Sequence, residues 1–131
     1  MRVIICGSRD ITGMSLLNEA MSYASDAGVI PTRIVSGRAR GVDLLGEQWA
    51  RNNGIEVSAY PADWNRYGKS AGYRRNTTMV ANSEATVALW DGVSSGTAHT
   101  IEISKAAGHP TIVIGPHFGP VFYNCNIKDK D

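Results

Sequence analysis

Residues 2–9 read Arg2-Val3-Ile4-Ile5-Cys6-Gly7-Ser8-Arg9, four consecutive apolar residues running into a glycine-serine-arginine turn. No polar residue interrupts the run. A strand of this kind is buried on both faces, as the central strands of a parallel sheet are. Four more short runs of the same sort, mostly β-branched and barely alternating in polarity, lie at 33–35, 56–59, 86–89 and 111–114. Between them the apolar spacing is helical. Leu16, Leu17, Ala20, Met21 and Ala24 make one stripe, ended by Gly28, and Val42, Leu45, Trp49 and Ala50 make a second, ended by Gly54. Residues 73–82 form a third and 97–107 a fourth, the last ended by Gly108 with Pro110 just beyond. Strands alternating with helices predict right-handed βαβ crossovers. The fold expected is therefore a single Rossmann-like α/β domain of about five parallel strands with helices on both faces.

That domain occupies residues 1–115. Residues 116–131 contain Pro116, Gly119 and Pro120, then Val121-Phe122-Tyr123 and a charged end, and read as a C-terminal tail, an edge strand or an oligomer contact. A length of 131 residues fits one domain, and 43% hydrophobic residues are enough for a core. The formal net charge of +1 gives no global reason to expect nucleic acid or a membrane as partner. Cys6 and Cys125 show neither metal spacing nor a disulfide framework, which fits a reducing cytoplasm. The first apolar run is too short for a signal peptide or a membrane span, so the expected location is cytoplasmic. His99, His109 and His117 lack ligand spacing. No metal site and no required cofactor are expected, and Mg²⁺ would enter only through the phosphate of a ligand.

In an open parallel sheet, ligands bind beyond the carboxyl ends of the strands, where the strand order reverses. The segments there are Gly7-Ser8-Arg9-Asp10, the stretch from Ser36-Gly37-Arg38 to Asp43, Pro61-Ala62-Asp63-Trp64 leading to residues 69–76, and Trp90-Asp91-Gly92 leading to Thr97. Ser36-Gly37 and Ser94-Ser95-Gly96-Thr97 each precede a helix, so both are candidate phosphate cradles, although glycine and serine are also ordinary turn and cap residues. Arg9, Arg38, Arg40, Arg66, Lys69, Arg74 and Arg75 are seven of the thirteen basic residues, and all fall on these loops or the helix start beside them. Such clustering offers an anionic site, or else a solvated face whose cations pair with Asp10, Asp43, Asp63 and Asp91. Arg9, Lys69 and Arg75 are the expected ligand contacts and Arg74 a surface residue. Asp43 and Asp91 are candidates to hold ribose hydroxyls or a base edge, and Trp64 and Trp90 to stack on a base. The bland alternatives are a first-turn acid for Asp43 and rim or core aromatics for the two tryptophans. His99 reads as a surface helix histidine and Cys6 as core.

Five ordered motifs resemble the YspA-like branch of the SLOG superfamily over residues 2–114. They are Gly7-Ser8-Arg9; Ser36-Gly37-x-Ala39-x-Gly41-Val42-Asp43; Ala62-Asp63-Trp64; Gly68-Lys69-x-Ala71-Gly72-x-x-Arg75-Asn76; and Trp90-Asp91-Gly92-x-Ser94-x-Gly96-Thr97. The second also looks like a loop of the single-stranded DNA-binding DprA proteins, and the Ser-Gly-Thr stretch like the phosphate loop of LOG phosphoribohydrolases. The resemblance implies a Rossmannoid domain binding a nucleotide or nucleotide-derived signalling ligand, such as the NAD-derived or cyclic messengers sensed by SLOG domains in bacterial and phage conflict. It also implies a homodimer or higher oligomer by analogy. LOG enzymes use a glutamate three residues after the threonine. Here that position is Thr100, and Glu102, about 200° further round a helix, faces away.

The leading expectation is a sensor or sequestering protein, not an enzyme. The alternative is a nucleotide N-glycosidase relying on Asp43 or Asp91. A DprA-like single-stranded nucleic-acid binder comes last, since the chain is near neutral.

Overall fold

Val3, Ile4 and Ile5 are completely buried at the centre of a six-stranded sheet, as an uninterrupted apolar run requires. The computed structural model describes residues 1–125; residues 126–131 of the expected tail lie outside the described residues. The elements are β1 (Arg2–Gly7), α1 (Met14–Asp26), β2 (Arg33–Ser36), α2 (Val42–Asn52), β3 (Glu56–Ala59), α3 (Trp64–Tyr67), a 3-10 turn (Gly68–Ser70), α4 (Ala71–Ala81), β4 (Ala85–Leu89), α5 (Ser95–Ala106), β5 (Thr111–Gly115) and β6 (Phe118–Tyr123). The sheet order is β3-β2-β1-β4-β5-β6. β1 to β5 run parallel, and β6 returns antiparallel to β5.

Alternate residues of the strands feed two cores. Val3, Ile5, Ile34, Val87 and Leu89 pack with Leu17, Met21 and Ala24 of α1 and with Val42 and Ala50 of α2. Ile4, Cys6, Val35, Ala88 and Val113 pack with Met79 and Val80 of α4 and Ile101 of α5. Helices therefore cover both faces, and the fold is the expected Rossmann-like α/β domain.

Two features go beyond that expectation. Residues 64–70 carry no apolar periodicity, yet Asp63 accepts a hydrogen bond from the Arg66 amide (3.1 Å) and caps a short helix there. Residues 118–123 add a sixth strand at the sheet edge, where Pro120, which has no amide to donate, is tolerated. Among the described residues, no helix is long and apolar enough to cross a membrane.

After β1 the chain winds to β2 and β3 on one side, and then crosses back to place β4 on the other side of β1. The strand order thus reverses between β1 and β4, which opens a crevice at their carboxyl ends.

Candidate functional site

A cavity of about 450 Å³ occupies that crevice. Cys6 and Gly7 at the end of β1 and Met79 of α4 line it, with Arg9 and Asp10 from the following loop. Ala39, Arg40 and Asp43 enter from the start of α2, Arg75 and Asn76 from α4, and Ser94 to Thr97 together with Thr100 from α5. Ten expected site residues are thereby brought together: Gly7, Arg9, Ala39, Asp43, Arg75, Asn76, Ser94, Ser95, Gly96 and Thr97.

The beginning of α5 leaves backbone donors uncovered on this wall. Among the described residues, the amides of Ser95, Gly96 and Thr97 have no acceptor, as the first amides of a helix lack an intrahelical one. A Cβ added to Gly96 would meet nothing within 4 Å, so the helix end is uncovered. The turn before it is held from behind. The Asp91 carboxylate accepts from the amides of Val93 and Ser94 (both 2.8 Å), and the Asp91 amide donates to Ser8 Oγ (2.9 Å). The Ser94 hydroxyl is within reach of Ser8 Oγ and Asp91 Oδ2, and the Trp90 indole donates to the Ser94 carbonyl (3.0 Å). The Ser94 and Val93 amides keep the Asp91 carboxyl below its ordinary value.

Across the cavity, Asp43 is 5% exposed, and its Oδ2 accepts from the Ala39 amide (3.3 Å). Burial lifts its carboxyl from 3.8 to about 6, against the opposing pull of the Ala39 amide and of Arg75. Gly41 lets the loop turn here. It has φ +80°, and a Cβ on it would sit 2.5 Å from the Arg9 carbonyl oxygen. One turn further along α2, Glu47 is also buried. It accepts from Ser36 Oγ (2.7 Å) and pairs with Arg38, whose φ of +63° is unusual for a residue with a side chain. Arg75 donates through Nη1 to the Gly37 carbonyl and through Nε to Asn76 Oδ1 (2.9 Å), and Asn76 Nδ2 reaches the Gly96 carbonyl and His99 Nδ1.

This geometry changes several sequence expectations. Ser36 and Gly37 do not line the cavity: Ser36 is buried against Glu47, and the Arg75 guanidinium covers Gly37. Only one of the two expected cradles therefore opens into the hollow; the other loop enters it through Ala39, Arg40 and Asp43. Ser8, Gly41, Trp90 and Asp91 stand behind the lining and shape it, Asp91 anchoring a turn and Trp90 bracing Ser94. Asp63 caps α3, and Trp64 is 55% exposed against Gly72. Lys69 lies in the 3-10 turn, so these three do not line this cavity either. None of Asp10, Asp43, Asp63 and Asp91 is in an ion pair among the described residues.

Cys6, Asp10, Arg40, Met79 and Thr100 line the cavity although the sequence did not place them among the ligand-binding residues. Thr100 was legible from its position three residues after Thr97, and the buried Glu47 from its position four after Asp43, since such pairs share a helix face. Cys6 lines the cavity while only 6% exposed, and burial raises its thiol far above the ordinary value, so it is no thiolate nucleophile. Glu102 is exposed and paired with Lys105, so α5 supplies no glutamate to the cavity. No cluster of three metal-ligating side chains occurs among the described residues.

A family model described as YAcAr, the YspA, cpYpsA-related SLOG family, matches residues 1–67. A curated relative called "Gene 61 protein", from Mycobacterium phage D29, is 35% identical over 123 residues, covering 87% of this chain and 96% of its own length. Its name states no ligand or activity. No solved structure matches the chain significantly.

Proposed function

The chain belongs to the YspA, cpYpsA-related SLOG family, and on that premise we propose that it binds a phosphate-bearing nucleotide or nucleotide-derived signalling ligand in the cavity between β1 and β4. The observation that carries this reading is the start of α5, where three amides without protein acceptors face a cavity lined by Arg9, Arg40 and Arg75. Backbone donors and the positive end of a helix dipole suit a phosphate group. Asp43, a carboxyl on the far wall, suits the hydroxyl of a sugar. The protein acts as a sensor or sequestering module, it needs no cofactor, and any Mg²⁺ arrives with the ligand phosphate. Titration calorimetry against a panel of mono- and dinucleotides tests this: micromolar binding of at least one member is expected, and nothing tighter than millimolar across the panel refutes it.

One observation favours a second reading. Asp43 lines the cavity with its carboxyl raised to about 6, in the range of a general acid near neutral pH. N-glycosidic cleavage of the bound nucleotide would use that group, since α5 offers no glutamate and the Asp91 carboxylate is committed to its turn. Release of free base, abolished by Asp43→Asn, would establish it; intact nucleotide after prolonged incubation would end it.

A further inference from the structure

We infer that a second cavity, of about 550 Å³ between the end of β3, α3 and α4, is a separate binding site for a phosphate carried on a planar ring. This goes beyond the reading of the first cavity and does not depend on it. Tyr60, Pro61 and Tyr67 provide ring-sized apolar wall, and Arg74 and Arg75 provide guanidinium groups. A planar ring stacks on tyrosine and guanidinium surfaces, and a phosphate takes two hydrogen bonds from a guanidinium.

The distribution of unpaired cations supports the assignment. Among the described residues, Arg2, Arg33, Arg38 and Lys105 are in ion pairs, whereas Arg9, Arg40, Arg51, Arg66, Lys69, Arg74 and Arg75 are in none, and four of these seven fall within residues 66–75. Arg74 and Arg75 line the second cavity, and Arg66 and Lys69 lie beside it, on α3 and on the 3-10 turn that joins α3 to α4. They are also held in place. The Arg74 guanidinium lies 4.5 Å from the Tyr67 ring centroid and donates through Nε to Ser70 Oγ (3.0 Å). Arg66 lies 5.1 Å from the same ring. The carboxylate in the lining, Asp63, is engaged with the Arg66 amide as the cap of α3 and forms no ion pair among the described residues, so the positive charge gathered on the Tyr67 ring is left complementary to an anion.

Arg75 lines both cavities. Its hydrogen bonds to the Gly37 carbonyl and to Asn76 fix it as the partition between them. Two ligands therefore bind side by side, each with its own affinity.

The test is a titration of the full chain followed through its amide NMR signals, with AMP as the ringed phosphate and inorganic phosphate and adenosine as controls. AMP is expected to move signals of residues 67–78 along an isotherm distinct from that of residues 95–97, and more tightly than either control. The Arg66→Ala/Arg74→Ala double variant, in which both replaced side chains are exposed, should weaken the 67–78 isotherm by about tenfold or more. It should leave the 95–97 isotherm and the melting temperature unchanged. Shifts confined to the first cavity, a second isotherm indifferent to the double variant, or inorganic phosphate binding there as well as AMP would each overturn the inference. Loss of the 95–97 response alone would refute the first cavity's reading and leave this one standing.

Discussion

Replacing Asp43 by Asn should stabilise the folded protein at neutral pH, even though Asp43 lines the candidate site. Burial raises its carboxyl from 3.8 to about 6, so the folded state holds a proton that the unfolded chain releases between those values. A carboxyl raised on folding contributes stability when protonated, and that contribution is lost as the pH climbs through the window. A displacement of about two pH units at roughly 1.36 kcal/mol each costs the ionised native state about 3 kcal/mol at pH 7.5. At pH 4.5 only about 1 kcal/mol of that cost is present, because the native carboxyl is still protonated. Asn keeps an oxygen to accept from the Ala39 amide and never ionises.

The quantity to follow is the difference in urea-unfolding free energy between Asp43→Asn and the parent chain, measured from pH 4.5 to 7.5. It should shift in favour of Asn by about 2 kcal/mol across that range. His99 and His109, both lowered by burial, titrate nearby with the opposite slope, but they are common to both proteins and cancel in the difference. A difference independent of pH, or one favouring the parent more strongly at pH 7.5, would mean that Asp43 is ionised without penalty and would refute the account.

Ser95→Pro separates the ligand's demands from the helix's. Ser95 is the first residue of α5, a position where proline is well tolerated, and Ser94 already has the extended ψ of 115° that a following proline requires. The variant should melt within a degree or two of the parent yet bind a nucleotide about tenfold more weakly, as read by calorimetry, because one phosphate-facing amide is gone. Gly41→Ala should destabilise the fold by roughly 2 kcal/mol or more in thermal denaturation, since φ is +80° and the new Cβ would press on the Arg9 backbone.

The run at residues 2–9 makes the fold legible because an unbroken apolar stretch bounded by a Gly-Ser turn, alternating along the chain with helical stripes, fits a central strand of a parallel sheet. β6 was less legible because residues 118–123 mix glycine and proline with aromatics, and their strand character comes from pairing with β5, a tertiary contact. The same limit governs the site. Strand ends identify which loops gather at one sheet edge, but not which residue of a loop turns inward. Ser36 turns away because Glu47 accepts its hydroxyl, and Gly37 is covered because Arg75, thirty-eight residues later, reaches its carbonyl. Glu47 follows the motif by one helical turn and is locally legible, but Arg75 is remote from it in sequence, and no local pattern announces that contact.

The features of this edge that oppose folding share one chemistry. Asp43 is buried with a raised carboxyl, Arg38 has a positive φ, and three helix amides and the guanidinium groups of Arg9 and Arg40 lack protein partners among the described residues. Elsewhere the strands are paired and the cores are apolar. The free amides of α5 on one wall and the Asp43 carboxyl on the other do not compensate each other across an open cavity of about 450 Å³. A molecule with an anion at one end and a hydroxyl donor a few ångströms away offsets both at once. A bare phosphate would satisfy only the α5 side and would leave Asp43 facing added negative charge. The discriminating comparison is therefore ribose 5-phosphate against inorganic phosphate: preference for the sugar phosphate should shrink in Asp43→Ala, and equal binding of both would leave Asp43 without a ligand role.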